Sequence, residues 1–192
     1  MNKELFFSLK GERSYVHGTD IFNSFAGFLH GKQWSKLDIK FAGIVSNNLI
    51  VREGADHSDV KVDVRVTVNG TQKSYQLCES ANPASGRSEY HEEKITGLCS
   101  LNIDEQQIQL REITPYSFCE NLVAMHKCLL QSLFSEAHGK WYFTRLELAA
   151  PVADEALIRV VLVKNFNFRL VKSHIFEANR LLGSIYFTLV RG

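Results

Sequence analysis

No stretch of this chain approaches the roughly 20 consecutive apolar residues that a membrane-spanning helix needs. The opening Met1-Asn2-Lys3-Glu4-Leu5-Phe6-Phe7 has too short an apolar run for a secretory leader. A cytoplasmic protein without a membrane span is therefore expected. Charge of one sign is not in excess: 22 basic residues stand against 21 acidic ones, a net charge of +1. Nucleic-acid binding needs a clustered basic surface, and this balance gives no case for it. The four cysteines, Cys78, Cys99, Cys119 and Cys128, form no C-x-x-C pair, and the seven histidines form no H-E-x-x-H. Zinc sites are built from closely spaced ligand pairs, so no metal site is expected. A glycine-rich phosphate loop is also missing, and no cofactor is expected. In a reducing compartment the thiols read as small buried hydrophobes.

The composition that remains is ordinary for a folded protein, 45% hydrophobic and 22% charged, enough for a sizeable core. Val60, Val62, Val64, Val66 and Val68 alternate with Lys61, Asp63, Arg65 and Thr67, the period-two signature of a half-buried strand. Asn69-Gly70 suits a type I′ turn, so residues 60–78 read as a hairpin. Leu37 to Phe41 and Leu49 to Val51 read as further strands, the second following an Asn47-Asn48 turn. Ile21, Phe22, Phe25, Phe28 and Leu29 recur at helical spacing within 19–30. Thr19 suits its N-cap, Asp20 the positive end of its dipole, and Gly31 its end. Leu5 to Val16 reads as one or two strands.

The second half repeats this order. Residues 108–113 are strand-like, and Pro115 ends them. Residues 117–134 read as a longer helix, with Cys119, Leu122, Val123, His126, Leu129, Leu130 and Leu133 on one stripe. Strands follow at 141–148, 156–164, 166–176 and 181–190. Arg13 and Asn23 lie ten residues apart, as do Arg111 and Asn121. The turn-rich Ser80-Ala81-Asn82-Pro83-Ala84-Ser85-Gly86 suits a linker. The organisation expected is a first repeat over 1–79, a linker over 80–92 and a second repeat over 93–192.

Two strongly apolar helices, each accompanied by an antiparallel sheet, give an α+β class in which sheet wraps helix. This order resembles the hotdog superfamily, and two units in one chain resemble a tandem, or double, hotdog. The resemblance implies work on acyl thioesters of coenzyme A or acyl carrier protein, by a dehydratase or a thioesterase. It implies a site between the repeats, with a histidine at one helix start, a carboxylate from the other helix, and a helix N-terminal N–H polarising the thioester carbonyl.

On that resemblance His17, Asp20 and Glu120 are the catalytic candidates, and Gly18, Asn23, Asn121 and His126 the substrate-binding ones. Tyr15-Val16-His17-Gly18-Thr19-Asp20 places a titrating ring and a glycine at the helix entry. The plain alternative for His17 is a loop histidine beside a capping threonine; for Glu120 it is a solvated helix-start carboxylate. His126, on an apolar stripe, reads either as a satisfied core histidine or as a group reaching the substrate. Asn23 and Asn121 read as equivalent helix positions that orient a carbonyl or water, or as helix-surface residues. Phe166 and Phe168 read as core positions of one strand. The fuller dehydratase motif, histidine with a proline-and-glycine-rich stretch, is absent, and so is the thioesterase pattern of aspartate, glycine-histidine and paired asparagines. Lys61, Arg65, Arg169 and Lys172 suit an acidic carrier protein or coenzyme phosphates, or are solvent-facing strand residues. A non-catalytic acyl-ligand or carrier-protein module, and a structural protein with a filled cleft, stay open beside the enzyme. Exposed sheet edges leave a homodimer open as well.

Overall fold

The valine alternation sets the first sheet. A computed structural model describes residues 2–54 and 58–191, and the chain divides into two compact units, Met1–Tyr90 and His91–Gly192. The first unit holds β1 (Lys3–Leu5), β2 (Leu9–Lys10), α1 (Gly18–Phe28), β3 (Trp34–Phe41), β4 (Asn47–Glu53), β5 (Val60–Val68), β6 (Thr71–Pro83) and β7 (Arg87–Ser88). Its sheet runs β1-β4-β6-β5-β3, antiparallel throughout. Val62, Val64, Val66 and Val68 are buried, while Lys61, Asp63, Arg65 and Thr67 point the other way. Asn69 and Gly70 both have positive φ, 49° and 79°, as a type I′ turn requires. Ile21, Phe22 and Phe25 of α1 are buried. Phe25 and Phe28 meet the Tyr75 ring of β6 edge-on at 5.6 and 5.5 Å between centroids, which seats the helix on the sheet.

Several expected boundaries move. Asn47 and Asn48 are not a turn but the start of β4. Asn48 is buried, and its side chain accepts from the Phe7 N–H at 2.9 Å, so it serves as a polar staple to the N-terminal segment. Residues 80–83, read as the start of a linker, are the end of β6, paired with β4 and held by the Asn47 amide donating to the Ser80 carbonyl at 3.0 Å. β2 and β7 form a two-residue parallel pair, which brings 87–90 back against the approach to α1.

The second unit holds α2 (Glu92–Thr96), β8 (Cys99–Asn102), β9 (Gln107–Leu110), α3 (Phe118–Leu133), β10 (Lys140–Leu148), β11 (Ile158–Phe166), β12 (Leu170–Glu177) and β13 (Arg180–Val190). Its sheet runs β10-β13-β12-β11-β9-β8, again antiparallel. From Phe118 to His126 the helix is buried on almost every side, as its near-continuous apolar run demands. α2 and β8 carry no strong periodicity and were not expected. Ile95 anchors α2 in the core, and Glu92 meets Lys127 of α3 at 2.6 Å. Residues 166–176 are not one strand: Asn167 and Phe168 turn the chain with positive φ, 49° and 62°. Such a backbone is costly for a bulky residue. It is held by the Phe168 N–H donating to the Asn165 side chain at 2.7 Å and by the Phe168 ring against Phe134 and Trp141. Phe166, expected in the core, is 48% exposed.

The two units share a helix on an antiparallel sheet but are threaded differently. In the first, β5 lies beside β3 and the last strand, β6, beside β4; in the second, the last strand, β13, lies beside β10. Nor do the two asparagines match: Asn23 is the sixth residue of α1 and Asn121 the fourth of α3.

Candidate functional site

The start of α1 is assembled from three separate stretches of the first unit. Val16 donates its N–H to the Val45 carbonyl at 2.7 Å, which fixes the chain just before the helix. His17, not Thr19, is the N-cap, with extended φ and ψ of −72° and 138° and no capping hydrogen bond from its side chain. Gly18 and Thr19 therefore begin the helix, and helical geometry gives their N–H groups no partner within it. Thr19 is already the second residue of the helix, past the capping position, and its hydroxyl turns to other partners. His17 Nδ1 lies 2.7 Å from Thr19 Oγ1, and Lys10 Nζ donates to the same oxygen at 3.3 Å.

Lys10 enters from β2. Its side chain is 8% exposed and meets Asp20 Oδ1 at 2.8 Å, so Asp20 is held in an ion pair in the first turn. Tyr90 follows β7. Its ring lies 5.3 Å from that of His17, with Lys10 Nζ and the Arg13 guanidinium 4.9 and 5.3 Å from its centroid. Two cations at an aromatic face, a carboxylate and a buried imidazole thus surround a helix start. Of this group the sequence pointed to His17, Gly18 and Asp20. It did not point to Lys10 or Tyr90, because the two-residue β2–β7 pair that brings them together carries no readable period. Asn23 lies half-buried further along α1.

The start of α3 is built differently. Ser117 is its N-cap and accepts from the Glu120 N–H at 3.3 Å, while Glu120 Oε2 accepts from the Ser117 N–H at 3.0 Å and its hydroxyl at 2.8 Å. This is a complete capping box. Asp154 adds a further cap, accepting from the Phe118 N–H at 2.7 Å. Asn121 is buried. It accepts from the Thr114 hydroxyl at 2.7 Å and donates to the Tyr116 carbonyl at 3.3 Å, tying the preceding loop to the helix.

His126 is fully buried in the second unit. Its Nε2 lies 2.9 Å from the Ser173 hydroxyl on β12, and the ring meets Phe187 edge-on at 4.5 Å. Nδ1 has no hydrogen-bond partner among the described residues. Burial pushes its pKa down to about 3, so the ring is neutral. Of the cysteines, Cys99 and Cys128 are half-buried. Burial, and then the neighbouring Cys128 thiol, push Cys99 up to about 11. A thiol of that kind is a poor nucleophile at neutral pH. Among the described residues no helix is long and apolar enough to cross a membrane.

No family model and no curated protein matches the sequence. Solved structures do match. The dehydratase domain of PpsC from Mycobacterium tuberculosis, determined with C12:1-CoA, is similar over 98% of this chain and 92% of its own, with TM-score 0.51 and 7% identity. The tesB protein MAP1729c of Mycobacterium avium subs paratuberculosis is similar over 96% and 91%, with TM-score 0.49 and 8% identity. A putative thioesterase from Novosphingobium aromaticivorans is similar over 100% and 94%, with TM-score 0.46 and 11% identity. At 7% identity the likeness to the PpsC domain is one of fold.

Proposed function

The chain is a hotdog-fold protein, and on that premise we propose that it takes an acyl thioester of coenzyme A or of an acyl carrier protein, with the thioester carbonyl at the start of α1. The observation that carries this reading is the α1 entry. His17 is set as N-cap without capping, its ring is fixed by Thr19, and Gly18 opens the first turn with an N–H that has no helical partner. Such a helix start concentrates positive potential, and glycine lets a carbonyl approach the backbone closely. Polarising that oxygen serves hydrolysis, dehydration and simple binding alike. The likeness to a dehydratase domain determined with an acyl-CoA supports the ligand class. We read the two units as hotdog units in tandem, each a helix on its own antiparallel sheet.

A second reading, a non-catalytic acyl-binding module, is favoured by one specific observation. Both candidate carboxylates are engaged by their own neighbours, Asp20 by Lys10 and Glu120 by Ser117. The test is incubation with a panel of acyl-CoA, 3-hydroxyacyl-CoA and acyl-carrier thioesters, followed by mass spectrometry, with His17→Gln alongside. Thiol release or water loss that disappears in the variant supports an enzyme, and saturable binding without product supports the module. Neither product nor binding for any thioester sinks the proposal.

A further inference from the structure

Thr19 has one hydroxyl proton, and its surroundings dictate where that proton goes. The residue is fully buried. Its oxygen has two neighbours, Lys10 Nζ at 3.3 Å and His17 Nδ1 at 2.7 Å, and among the described residues it makes no other hydrogen bond. Lys10, paired with Asp20 at 2.8 Å, donates. An ammonium has no lone pair to offer, so it cannot take the threonine's proton. A buried hydroxyl proton without an acceptor is costly, and the one acceptor left is His17 Nδ1. Nδ1 therefore accepts, and the neutral ring carries its proton on Nε2.

Resting on the proposed acyl-thioester site, we infer that Thr19 is a positioning residue that holds His17 as a neutral Nε2–H donor. The histidine then polarises the thioester carbonyl and does not withdraw a proton from the acyl chain. A ring donating from Nδ1 to Oγ1 would leave the threonine proton without an acceptor. The Lys10 ammonium lies on the same oxygen, and the Arg13 guanidinium faces the Tyr90 ring that the imidazole also meets. Dehydration of a 3-hydroxyacyl thioester begins with removal of the proton on the carbon next to the carbonyl, which requires an open lone pair on the base. With Nδ1 turned to Thr19 and Nε2 protonated, His17 offers none. An N–H aimed at a carbonyl oxygen gains strength as negative charge grows there, the property wanted of an oxyanion donor.

The tautomer is read directly by long-range 1H–15N correlation of the imidazole nitrogens in 15N-labelled protein at neutral pH, with His17 assigned by its loss in His17→Gln. A single neutral form with Nδ1 bare and Nε2 protonated is expected. Thr19→Val, which keeps the shape and removes the hydroxyl, should move the Nδ1 resonance toward that of a ring nitrogen without a hydrogen bond, and Thr19→Ser should bring it back. A proton on Nδ1, an imidazolium, or an Nδ1 resonance unmoved by Thr19→Val overturns the assignment. Incubation of acyl-CoA in D2O tests the role: no deuterium should enter next to the carbonyl, and exchange lost in His17→Gln would overturn it. Both spectroscopic readouts need no turnover. If no thioester is bound or processed while the tautomer is as stated, the functional reading falls and the Thr19 assignment stands. The wrong tautomer beside His17-dependent thiol release does the reverse.

Discussion

His126 should make the second unit acid-labile in a way that one substitution removes. The buried ring has its pKa lowered to about 3 by burial, whereas in the unfolded chain a histidine titrates near 6.5. Above about pH 6.5 both states are neutral, and the group contributes no slope. As the pH falls below that, the unfolded chain binds a proton that the folded chain refuses, so stability is lost progressively down to about pH 3. One such proton costs about 1.4 kcal/mol per pH unit, on the order of 5 kcal/mol over the whole window. Domains of this size have stabilities of about 5–15 kcal/mol, so the loss is large enough to bring unfolding within mild acid. His126→Gln keeps an amide able to meet the Ser173 hydroxyl but cannot be protonated. The assay is urea unfolding of both proteins at half-unit steps from pH 7.5 to 4, compared as the difference in unfolding free energy so that other titrating groups cancel. The wild type should lose ground on the variant by about 1 kcal/mol per unit below pH 6. Parallel pH profiles for the two would refute the reasoning and mean that the ring takes a proton in the folded state, through water reaching Nδ1.

Two further predictions concern backbone approach and the second helix start. A Cβ built on Gly183 would stand 1.8 Å from the Glu147 carbonyl oxygen of β10, so Gly183→Ala forces β13 away from β10. A loss of at least ~3 kcal/mol is expected in urea unfolding, and a change under 1 kcal/mol would show that the strands can part freely. Glu120→Gln retains an acceptor for the capping box, since glutamine serves at that position as glutamate does. Any acyl-thioester turnover should therefore stay within about threefold, as expected for a cap; a loss of two or more orders of magnitude would make Glu120 the base.

How far the sequence could be read follows from which interactions leave a period. The valine alternation at 60–68 and the Asn69-Gly70 turn translate directly into β5, β6 and their register, because burial on one face of a strand has period two. The α3 stripe likewise exposes its meaning, and His126 stands on it in the core. Its partner Ser173 lies on β12, and nothing local marks a serine as the mate of a distant histidine. Thr19 was misread as a cap because capping preference is statistical, while two partners, Lys10 from β2 and His17 from the N-cap, compete for the hydroxyl. The Glu120 capping box went unread: Ser117-Phe118-Cys119-Glu120 fits the S-x-x-E pattern, yet the acidic side chain reads equally as a base or as a solvated helix-start carboxylate. Strand order was not legible, because hairpins and crossovers of similar length look alike in sequence, and the two units use different ones.

The same local physics distinguishes the two helix starts. Every helix begins with N–H groups that lack intrahelical partners, and whatever reaches them first satisfies them. At α3 the chain supplies its own acceptors, Ser117, Glu120 and Asp154, so a carbonyl arriving there would have to displace charge-assisted hydrogen bonds already made. At α1 the residue in the capping position carries an imidazole turned toward Thr19, and the one carboxylate in the first turn is drawn to Lys10. The stability a side-chain cap would contribute, about 1 kcal/mol, is forgone there. Side chains suited to capping are present at 17–20, but Thr19 meets His17 and Lys10, and Asp20 meets Lys10. On the proposed reading, the first backbone donors of α1 are left for a thioester carbonyl oxygen.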